Sequence, residues 1–401
     1  MTVEHLESRV VRSPRLSRLL DDPSPAAIDQ LWREVAAAGS PLIETWDDEQ
    51  VLVTFLWRGE ATSTRAWWGV DVPLDRLPGT DLWYGSELFP AGLRTVYGLF
   101  HNGAETPPAG PSPHGPSHLD QFNRRPFRFP GDPDDAADHD QWLSILECPR
   151  APAEPWATPR RGVTPGDLVH TSLTSDALGG ERPLTVYLPA GTPPDGLPTL
   201  VVFDGFQSRH VLRFHTTLDN LIAAGRIPPV TALFVNSHTE ERDRMLSATP
   251  PIAEFVAGEL LPWARRTFRV GAESGNLTAG VSRGGLVAAH VALQAPQSFG
   301  GVLAHSGSFW WPSPGEGRPG RLIREVSARP LADIRFYLDV GRRETMAGPG
   351  GAPSQLEVNR AMRDALASRG YEVTYAEYTG AHDYVNWRRT FADGMLALLG
   401  R

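Results

Sequence analysis

Ser282 has the surroundings that most clearly suggest chemistry, because it lies in the run Gly280-Val281-Ser282-Arg283-Gly284. An apolar stretch ends at Val281, and residues 284–293 have a helical pattern. A serine at such a strand-to-helix turn takes a tight backbone conformation, and the flanking glycines remove side chains that would collide. Its hydroxyl then stands above the sheet near the positive end of the helix. The run therefore predicts that Ser282 is a nucleophile.

A neutral serine is a poor nucleophile, so this chemistry needs a histidine base and a carboxylate that orients it. With a turn of this kind the expected chain order is serine, acid, histidine. Of the twelve histidines, only His382 lies beyond the last predicted strand, and it is the predicted base. Asp339, at a strand end, and Glu344, in the loop that follows, both remain candidates for the acid. Asp383 is expected to point elsewhere and could cap the next helix.

An oxyanion hole requires two backbone N–H donors. The turn predicts one from Arg283, directly after the nucleophile, and one from a loop that follows an earlier strand. Phe203-Asp204-Gly205-Phe206-Gln207 is such a loop, and its glycine permits a sharp turn that would aim the Phe206 N–H at the oxyanion. The alternative for Asp204 is an ordinary role in starting a helix.

Other reactive residue types have simpler explanations. Cys148, the single cysteine, ends an apolar run and is predicted to be a small buried hydrophobe. His114 and His118 lie among prolines and glycines with no helix to align them, so no metal site is predicted there. The acidic stretch 132–140 lacks the ligand register and central glycine of a calcium loop and is expected to be solvated surface.

Composition narrows the class of function further. The chain has 401 residues, 41% hydrophobic and 21% charged, which is typical of a soluble globular protein. Its net charge of −9 argues against a nucleic-acid partner. All 38 basic residues are arginines, and without lysine there is no Walker-type phosphate binding, Schiff base or pyridoxal chemistry. No segment is apolar enough to span a membrane and residues 1–20 form no signal-peptide core, so a cytoplasmic protein is expected.

Prolines at 149, 152, 155, 159 and 165 mark a linker, since they interrupt any helix or strand pattern. The predicted domains are therefore residues 1–150, a proline-rich linker over 151–165, and a catalytic domain over 166–401. Before the linker, a helix over 26–38 and strands over 51–57, 66–72 and 94–100 indicate a small antiparallel sandwich. After it, strands alternate with helices, which indicates a mostly parallel sheet covered by helices. The predicted strands there are 168–174, 184–188, 199–203, 231–236, 277–281, 301–305, 334–339 and 373–378, and the helices 210–224, 252–267, 284–293, 355–369 and 390–399.

Several motifs together resemble the cytoplasmic enterochelin (enterobactin) esterases, which hydrolyse ester bonds of catecholate siderophores and release their iron. The resemblance covers nearly the whole chain. In the C-terminal half it depends on the Ser282 run and the Phe206 loop, on Ser306-Gly307-Ser308-Phe309-Trp310-Trp311, and on His382-Asp383-Tyr384-Val385-Asn386-Trp387-Arg388. In the N-terminal half, residues 53–59 and 119–123 are similar to the extra sandwich domain of that family. The fold it implies is an esterase D-like α/β-hydrolase domain preceded by a smaller β-sandwich-like domain.

The resemblance also implies roles for particular residues. It assigns the nucleophile and the base to Ser282 and His382, and it favours Glu344 over Asp339 as the acid. Arg242 resembles an arginine that the family places near the substrate, although this chain has Met245 where the family pattern has a glutamate. Arginines beside Trp310, Trp311 and Trp387 would suit a triply anionic complex with aromatic faces. The alternative for these tryptophans is packing in the core. No cofactor is implied, because iron enters only as part of the small-molecule substrate.

Two other functions compete with siderophore hydrolysis. A general carboxylesterase or acyl transferase of the esterase D type would ignore iron loading and tolerate removal of residues 1–150. A siderophore-binding protein with vestigial machinery would bind without turnover, and the intact serine, histidine and candidate acids argue against it.

Overall fold

The computed structural model describes residues 13–400 except 22, 194 and 272–274. Residues 1–12, most of the stretch used above against a signal peptide, lie outside the described residues. The chain divides into two compact units, one of residues up to Phe129 with Asp140–Pro152 and one of Pro130–His139 with the residues from Ala153 onward. The sequence prediction assigned residues 130–139 to the N-terminal domain, whereas their contacts lie within the second unit. There the Asp135 carboxylate accepts the amide of Thr239 at 2.6 Å.

The first unit starts with helices α1 (Pro14–Asp21) and α2 (Pro25–Ala38). Ser24 begins α2 by accepting the Ala27 amide at 3.3 Å, with a proline at the first helical position. The strands that follow in this unit are β1 (Leu42–Thr45), β2 (Gln50–Arg58), β3 (Thr64–Trp68), β4 (Asp71–Arg76), β5 (Leu82–Pro90), β6 (Arg94–His101), β7 (Ser117–His118), β8 (Pro126–Phe129) and β9 (Gln141–Glu147). Among the described residues they form one antiparallel path in the order β1-β2-β5-β4-β3-β6-β9-β8, with β7 beside β6.

The single strand predicted over 66–72 is wrong, because the chain turns back within it to form β3 and β4. The reversal lies at Trp68, whose φ is 122°. At the next residue, Gly69, a Cβ would lie 2.9 Å from the carbonyl oxygen of Val96. Tight backbone packing of this kind is not visible in a hydrophobic pattern.

The second unit is built on a largely parallel sheet. Its strands are β10 (Asp167–Thr174), β11 (Glu181–Leu188), β12 (Thr199–Val202), β13 (Thr231–Val235), β14 (Asn276–Val281), β15 (Phe299–His305), β16 (Arg335–Gly341) and β17 (Glu372–Tyr378). Over the described part of the chain their order is β10-β11-β13-β12-β14-β15-β16-β17, and the pairs from β13 to β17 are parallel. Within this path β11 runs opposite to the other strands, because it pairs antiparallel with both β10 and β13. Parallel strands place their carboxyl ends along one edge of the sheet, where ligands bind in folds of this class.

Helices cover both faces of this sheet. They are α3 (Gly205–His210), α4 (Phe214–Ala223), α5 (Thr239–Met245), α6 (Pro250–Glu254), α7 (Leu261–Phe268), α8 (Arg283–Gln294), α9 (Arg321–Ala328), α10 (Gln355–Arg369) and α11 (Tyr384–Leu399), with a π-helical turn Phe255–Leu260 between α6 and α7 and a 3-10 turn Pro349–Gly351 before α10. Alternate residues of β12 pack on opposite sides, Val201 in one buried cluster and Leu200 and Val202 in the other. Both faces of the central strands β12 and β13 are therefore buried, which explains why these strands are nearly continuous apolar runs.

Two helix predictions were wrong in their boundaries. The helix predicted over 210–224 begins later, at Phe214, because Arg213 before it is left-handed with φ 56°, and His210 is instead the last residue of α3. The helix predicted over 390–399 begins at Tyr384, where the Asp383 side chain accepts the Asn386 amide at 3.2 Å and caps it. No helix within the described residues is long and apolar enough to cross a membrane.

Candidate active site

The turn between β14 and α8 holds Ser282 in a strained conformation, with φ 54° and ψ −120°. The backbone packs too closely here for any side chain at position 280, because a Cβ at Gly280 would lie 2.3 Å from the carbonyl carbon of Gly284. The Ser282 amide donates to the carbonyl of His305 on the next strand at 2.8 Å. Strain of this kind persists where surrounding structure enforces it, and here it presents the hydroxyl at the carboxyl edge of the sheet.

His382 joins Ser282 to Glu344. Its Nε2 lies 2.9 Å from the Ser282 hydroxyl oxygen, and its Nδ1 lies 2.5 Å from Glu344 Oε2. The imidazole is 41% exposed, whereas the Glu344 side chain is 1% exposed. The buried carboxylate fixes Nδ1 as the protonated nitrogen and leaves Nε2 free to accept the serine proton.

The second oxygen of Glu344 is held by donors from the ends of neighbouring strands. Oε1 accepts the Gly341 amide at 2.6 Å, the Ser306 hydroxyl at 2.6 Å and the Tyr378 hydroxyl at 3.2 Å. Burial, and next the charge of Glu344, raises the pKa of Tyr378 well above its usual value, so this phenol stays protonated as a donor. These three donors therefore fix the carboxylate in one orientation.

Asp339, the other candidate for the acid, has a different partner. Its Oδ2 lies 2.9 Å from Nδ1 of His305, and both side chains are fully buried. Thr390 Oγ1 is 3.3 Å from the same nitrogen. Of the two candidates that the residues alone left open, Glu344 contacts His382, whereas Asp339 pairs with His305.

Trp387 supports the base from beneath. Its indole N–H donates to the Ser306 hydroxyl at 2.9 Å, and its ring packs edge-on against His382 at a centroid distance of 4.7 Å. The side chain is 2% exposed, so it presents almost no face to a ligand. The prediction that it binds substrate does not fit this burial; it packs against the base instead.

The two predicted oxyanion donors lie at the starts of two helices. Phe206 is the second residue of α3 and Arg283 is the first of α8, where backbone N–H groups have no carbonyl partner within the helix. The two turns adjoin, because a Cβ at Gly284 would lie 3.4 Å from the Cβ of Phe203. The glycine of the first turn is required, since a Cβ at Gly205 would lie 2.6 Å from the carbonyl carbon of Phe234.

Asp204, the residue before Gly205, makes a contact that the sequence did not predict. It occupies the helix-starting position with φ 50°, but its side chain caps no amide. Instead its carboxylate receives two hydrogen bonds from Arg242, at 3.0 and 2.7 Å. Arg242 therefore holds the turn Phe203–Phe206, which we call the oxyanion turn because it carries one of the two predicted oxyanion donors. The resemblance to a substrate arginine gave no signal of this pairing.

The two neighbouring tryptophans are also largely enclosed. Trp310 is 8% exposed and Trp311 is 9% exposed. The guanidinium of Arg321 lies 4.3 Å above the Trp311 ring, and the Trp310 N–H donates to Gln355 Oε1 at 2.9 Å. The sequence analysis expected arginines beside these tryptophans without naming one, and the arginine that lies on the Trp311 ring is Arg321.

The remaining reactive residues lie elsewhere. His118 is buried, with its Nε2 2.8 Å from that of His101, whereas His114 is exposed. Burial raises the pKa of the Cys148 thiol to about 12, which makes it unreactive. Across residues 13–400, leaving out the undescribed positions, no group of three or more His, Cys, Asp or Glu side chains could hold a metal ion.

Taken together, the arrangement supplies what acyl transfer requires. A hydroxyl nucleophile contacts a histidine base, a buried carboxylate orients that base, and helix-start amides adjoin the nucleophile. Ser306 and Tyr378, which hold the carboxylate, were not assigned a role from sequence. Ser306 carried a usable signal, because it directly follows a strand that neighbours the nucleophile strand.

Comparisons with known proteins agree with this architecture. Residues 175–398 match the putative esterase family. The iron(III) enterobactin esterase of Dickeya dadantii is 31% identical over 96% of this chain and 95% of its own length. The iron(III) salmochelin esterase of Escherichia coli O6:H1 is 29% identical over 94% of each chain.

Solved structures show the same fold. The enterobactin esterase of Shigella flexneri, crystallised in the presence of enterobactin, gives a TM-score of 0.72 at 22% identity, over 91% of this chain and 97% of that one. The ferric enterobactin esterase of Salmonella typhimurium gives 0.72 at 24% identity, over 92% and 98%. The predicted α/β-hydrolase domain preceded by a smaller β-rich domain is confirmed by this likeness.

Proposed function

Because this chain belongs to the esterase family that includes the iron(III) enterobactin esterases, we propose that it hydrolyses the ester bonds of a catecholate siderophore. One observation carries the proposal. An unbroken hydrogen-bonded series from Ser282 through His382 to Glu344 lies at the strand-to-helix turn of a chain 31% identical to an iron(III) enterobactin esterase. The resemblance read from the sequence motifs is thereby confirmed at the level of the family.

Acylation begins when Ser282 attacks the ester carbonyl while His382 Nε2 accepts its proton. Glu344 stabilises the imidazolium that forms and keeps the ring in the productive tautomer. The amides of Phe206 and Arg283 stabilise the negative charge on the carbonyl oxygen, and loss of one such donor typically costs about 10²–10³-fold in kcat. His382 then gives its proton to the departing alcohol, which leaves an acyl group on Ser282.

Deacylation repeats these steps with water. His382 removes a proton from water as the water oxygen attacks the acyl carbon, the bond to the Ser282 oxygen breaks, and the proton returns to that oxygen. The products are a carboxylic acid and the free serine. Side chains and backbone amides suffice for both halves, so the scheme uses no cofactor and iron enters only as substrate.

A ferric tris-catecholate is a triply anionic complex with aromatic faces, so cationic side chains near the nucleophile favour its binding. Arg242 is the best-supported candidate, because its side chain is 35% exposed although it pairs with Asp204. Arg321, stacked on Trp311, offers a second positive charge. We place the reaction in the cytoplasm, because a chain with a single cysteine has no internal disulfide and agrees with a reducing compartment.

The test is to supply purified protein with ferric and iron-free enterobactin-type trilactones and to follow the linear products by mass. We expect stepwise hydrolysis by the parent and none by Ser282→Ala. Turnover of simple aryl esters with no siderophore hydrolysed would instead identify a general carboxylesterase. Tight siderophore binding without turnover, the same in Ser282→Ala as in the parent, would identify a binding protein.

A further inference from the structure

A second hydroxyl touches the proposed nucleophile. Ser308 Oγ lies 3.2 Å from Ser282 Oγ, and the Ser308 amide donates to the Ser282 carbonyl at 2.9 Å. The Ser308 side chain is buried, so water does not compete freely for this contact. In the proposed reaction Ser282 donates its own proton to His382, which leaves its oxygen able to accept from Ser308.

The direction of that hydrogen bond follows from Gln355. An indole N–H only donates, so Trp310, at 2.9 Å, must face the amide oxygen of Gln355. The amide nitrogen of Gln355 then faces the Ser306 carbonyl and, at 3.4 Å, Ser308 Oγ. Because Gln355 donates to Ser308, the Ser308 proton is free to point at Ser282.

From this geometry we infer that Ser308 is a further catalytic residue, which donates a hydrogen bond to the Ser282 oxygen and assists its departure in deacylation. The inference relies on the proposed function, since it assumes the Ser282 acyl-enzyme. No proton leaves Ser308 in this step. His382 protonates the departing Ser282 oxygen, and Ser308 stabilises the electron pair that this oxygen gains as its bond to the acyl carbon breaks.

Differential stabilisation predicts which half-reaction depends on Ser308. In the acyl-enzyme the Ser282 oxygen is an ester oxygen, a poor acceptor, and it becomes a strong acceptor as it leaves. In acylation it starts as a hydroxyl, which already accepts well. Only interactions that strengthen towards the transition state accelerate a step, so Ser308 should matter more for deacylation.

The experiment compares Ser308→Ala with the parent in stopped-flow hydrolysis of a p-nitrophenyl ester, which separates the acylation burst from steady-state deacylation. We expect deacylation to slow about 10-fold, the effect of roughly one hydrogen bond, with acylation changed less than 3-fold. Intact-mass measurement should then find the acylated form accumulating. Ser308→Thr, which keeps the hydroxyl, should recover most of the deacylation rate.

One control variant and one additional test variant check this interpretation. Ser298→Ala removes a buried hydroxyl at the opposite end of the sheet and should match the parent. Gln355→Met removes the donor that orients Ser308 and should also depress deacylation more than acylation. The ratio of the two rates is internal to each preparation, so partial misfolding cannot imitate the effect. An unchanged ratio in Ser308→Ala, with Ser282→Ala inactive, would overturn this role and leave the proposed function standing; an active Ser282→Ala would overturn both.

Discussion

Asp339 directs its carboxylate to His305, 2.9 Å away, while Glu344 directs its own to His382 at 2.5 Å. The two acids lie on the same strand and loop, five positions apart in the chain. Each is buried, and each has its own histidine. The His305–Asp339 pair joins the ends of β15 and β16, whereas the His382–Glu344 pair contacts Ser282.

Glu344→Gln should therefore reduce kcat by about 10²–10⁴-fold, because an amide cannot hold the imidazolium or enforce its tautomer. Asp339→Asn should instead lower the melting temperature and retain most of the activity of the folded fraction, since it disturbs a buried contact away from Ser282. The measurement is kcat per active site, titrated with a fluorophosphonate, alongside thermal unfolding. The assignment of the acid fails if the two variants exchange these phenotypes.

The ion pair of Arg242 with Asp204 predicts a positioning effect on the oxyanion turn. Arg242→Lys loses the two parallel hydrogen bonds of the guanidinium and should lower kcat on a neutral aryl ester about 10-fold. Asp204→Asn should do likewise, and the double variant should be little worse than either single one because both remove the same interaction. If the Arg242 variant changes only KM, and only for the ferric substrate, its role is substrate binding instead.

Gly280 is expected to be intolerant of any side chain. Gly280→Ala places a Cβ 2.3 Å from backbone of Gly284, so the turn must open and activity should fall by at least about 100-fold or the protein should fail to fold. Gly258→Ala is the matched control, because nothing lies within 4 Å of a Cβ at that position and the backbone there is helical. Kinetics and circular dichroism on both variants check this, and a fully active Gly280→Ala would contradict the tight turn.

The buried His290 predicts acid sensitivity of folding. Burial lowers its pKa to about 4, below the ordinary value of 6.5, so the folded protein holds it neutral while the unfolded chain binds a proton. The contribution of neutral His290 to the free energy of unfolding is complete above pH 6.5. As the pH falls from 6.5 to 4, the free energy of unfolding decreases by roughly 3 kcal/mol because of this residue. His290→Gln should flatten the fall in unfolding free energy over that range.

Urea unfolding at several pH values between 4 and 7.5 measures this effect. Burial also lowers the pKa of His210 and His215 to about 4, so the parent curve contains several such contributions and the variant should remove one. The same substitution at the exposed His114 is the control. If the unfolding free energy of His290→Gln falls with pH as steeply as that of the parent, the acid sensitivity arises from other residues.

Much of the catalytic unit was predictable, because its signals are local. Each parallel strand is an apolar run between turn residues, and the predicted strands match β10 to β17 to within a few residues. The helix 355–369 was predicted to the residue, since Ser354 and Glu357 form a capping box and Gly370 ends it. Errors arose where a local turn had no compositional signal, as at Trp68 and Arg213.

The sequence by itself determined the nucleophile turn, the chain order of serine, acid and histidine, and the family. All three depend only on short runs of consecutive residues and on the order of those runs along the chain. Tertiary structure alone decided which carboxylate contacts His382, that Arg242 braces Asp204, and that Trp387 packs under the base. It also brought Ser308 to Ser282. Trp387 and His382 are five positions apart, but the other contacts join residues 26 to 38 positions apart. Hydrogen-bond geometry between such distant side chains is fixed only when the strands and helices that carry them have packed.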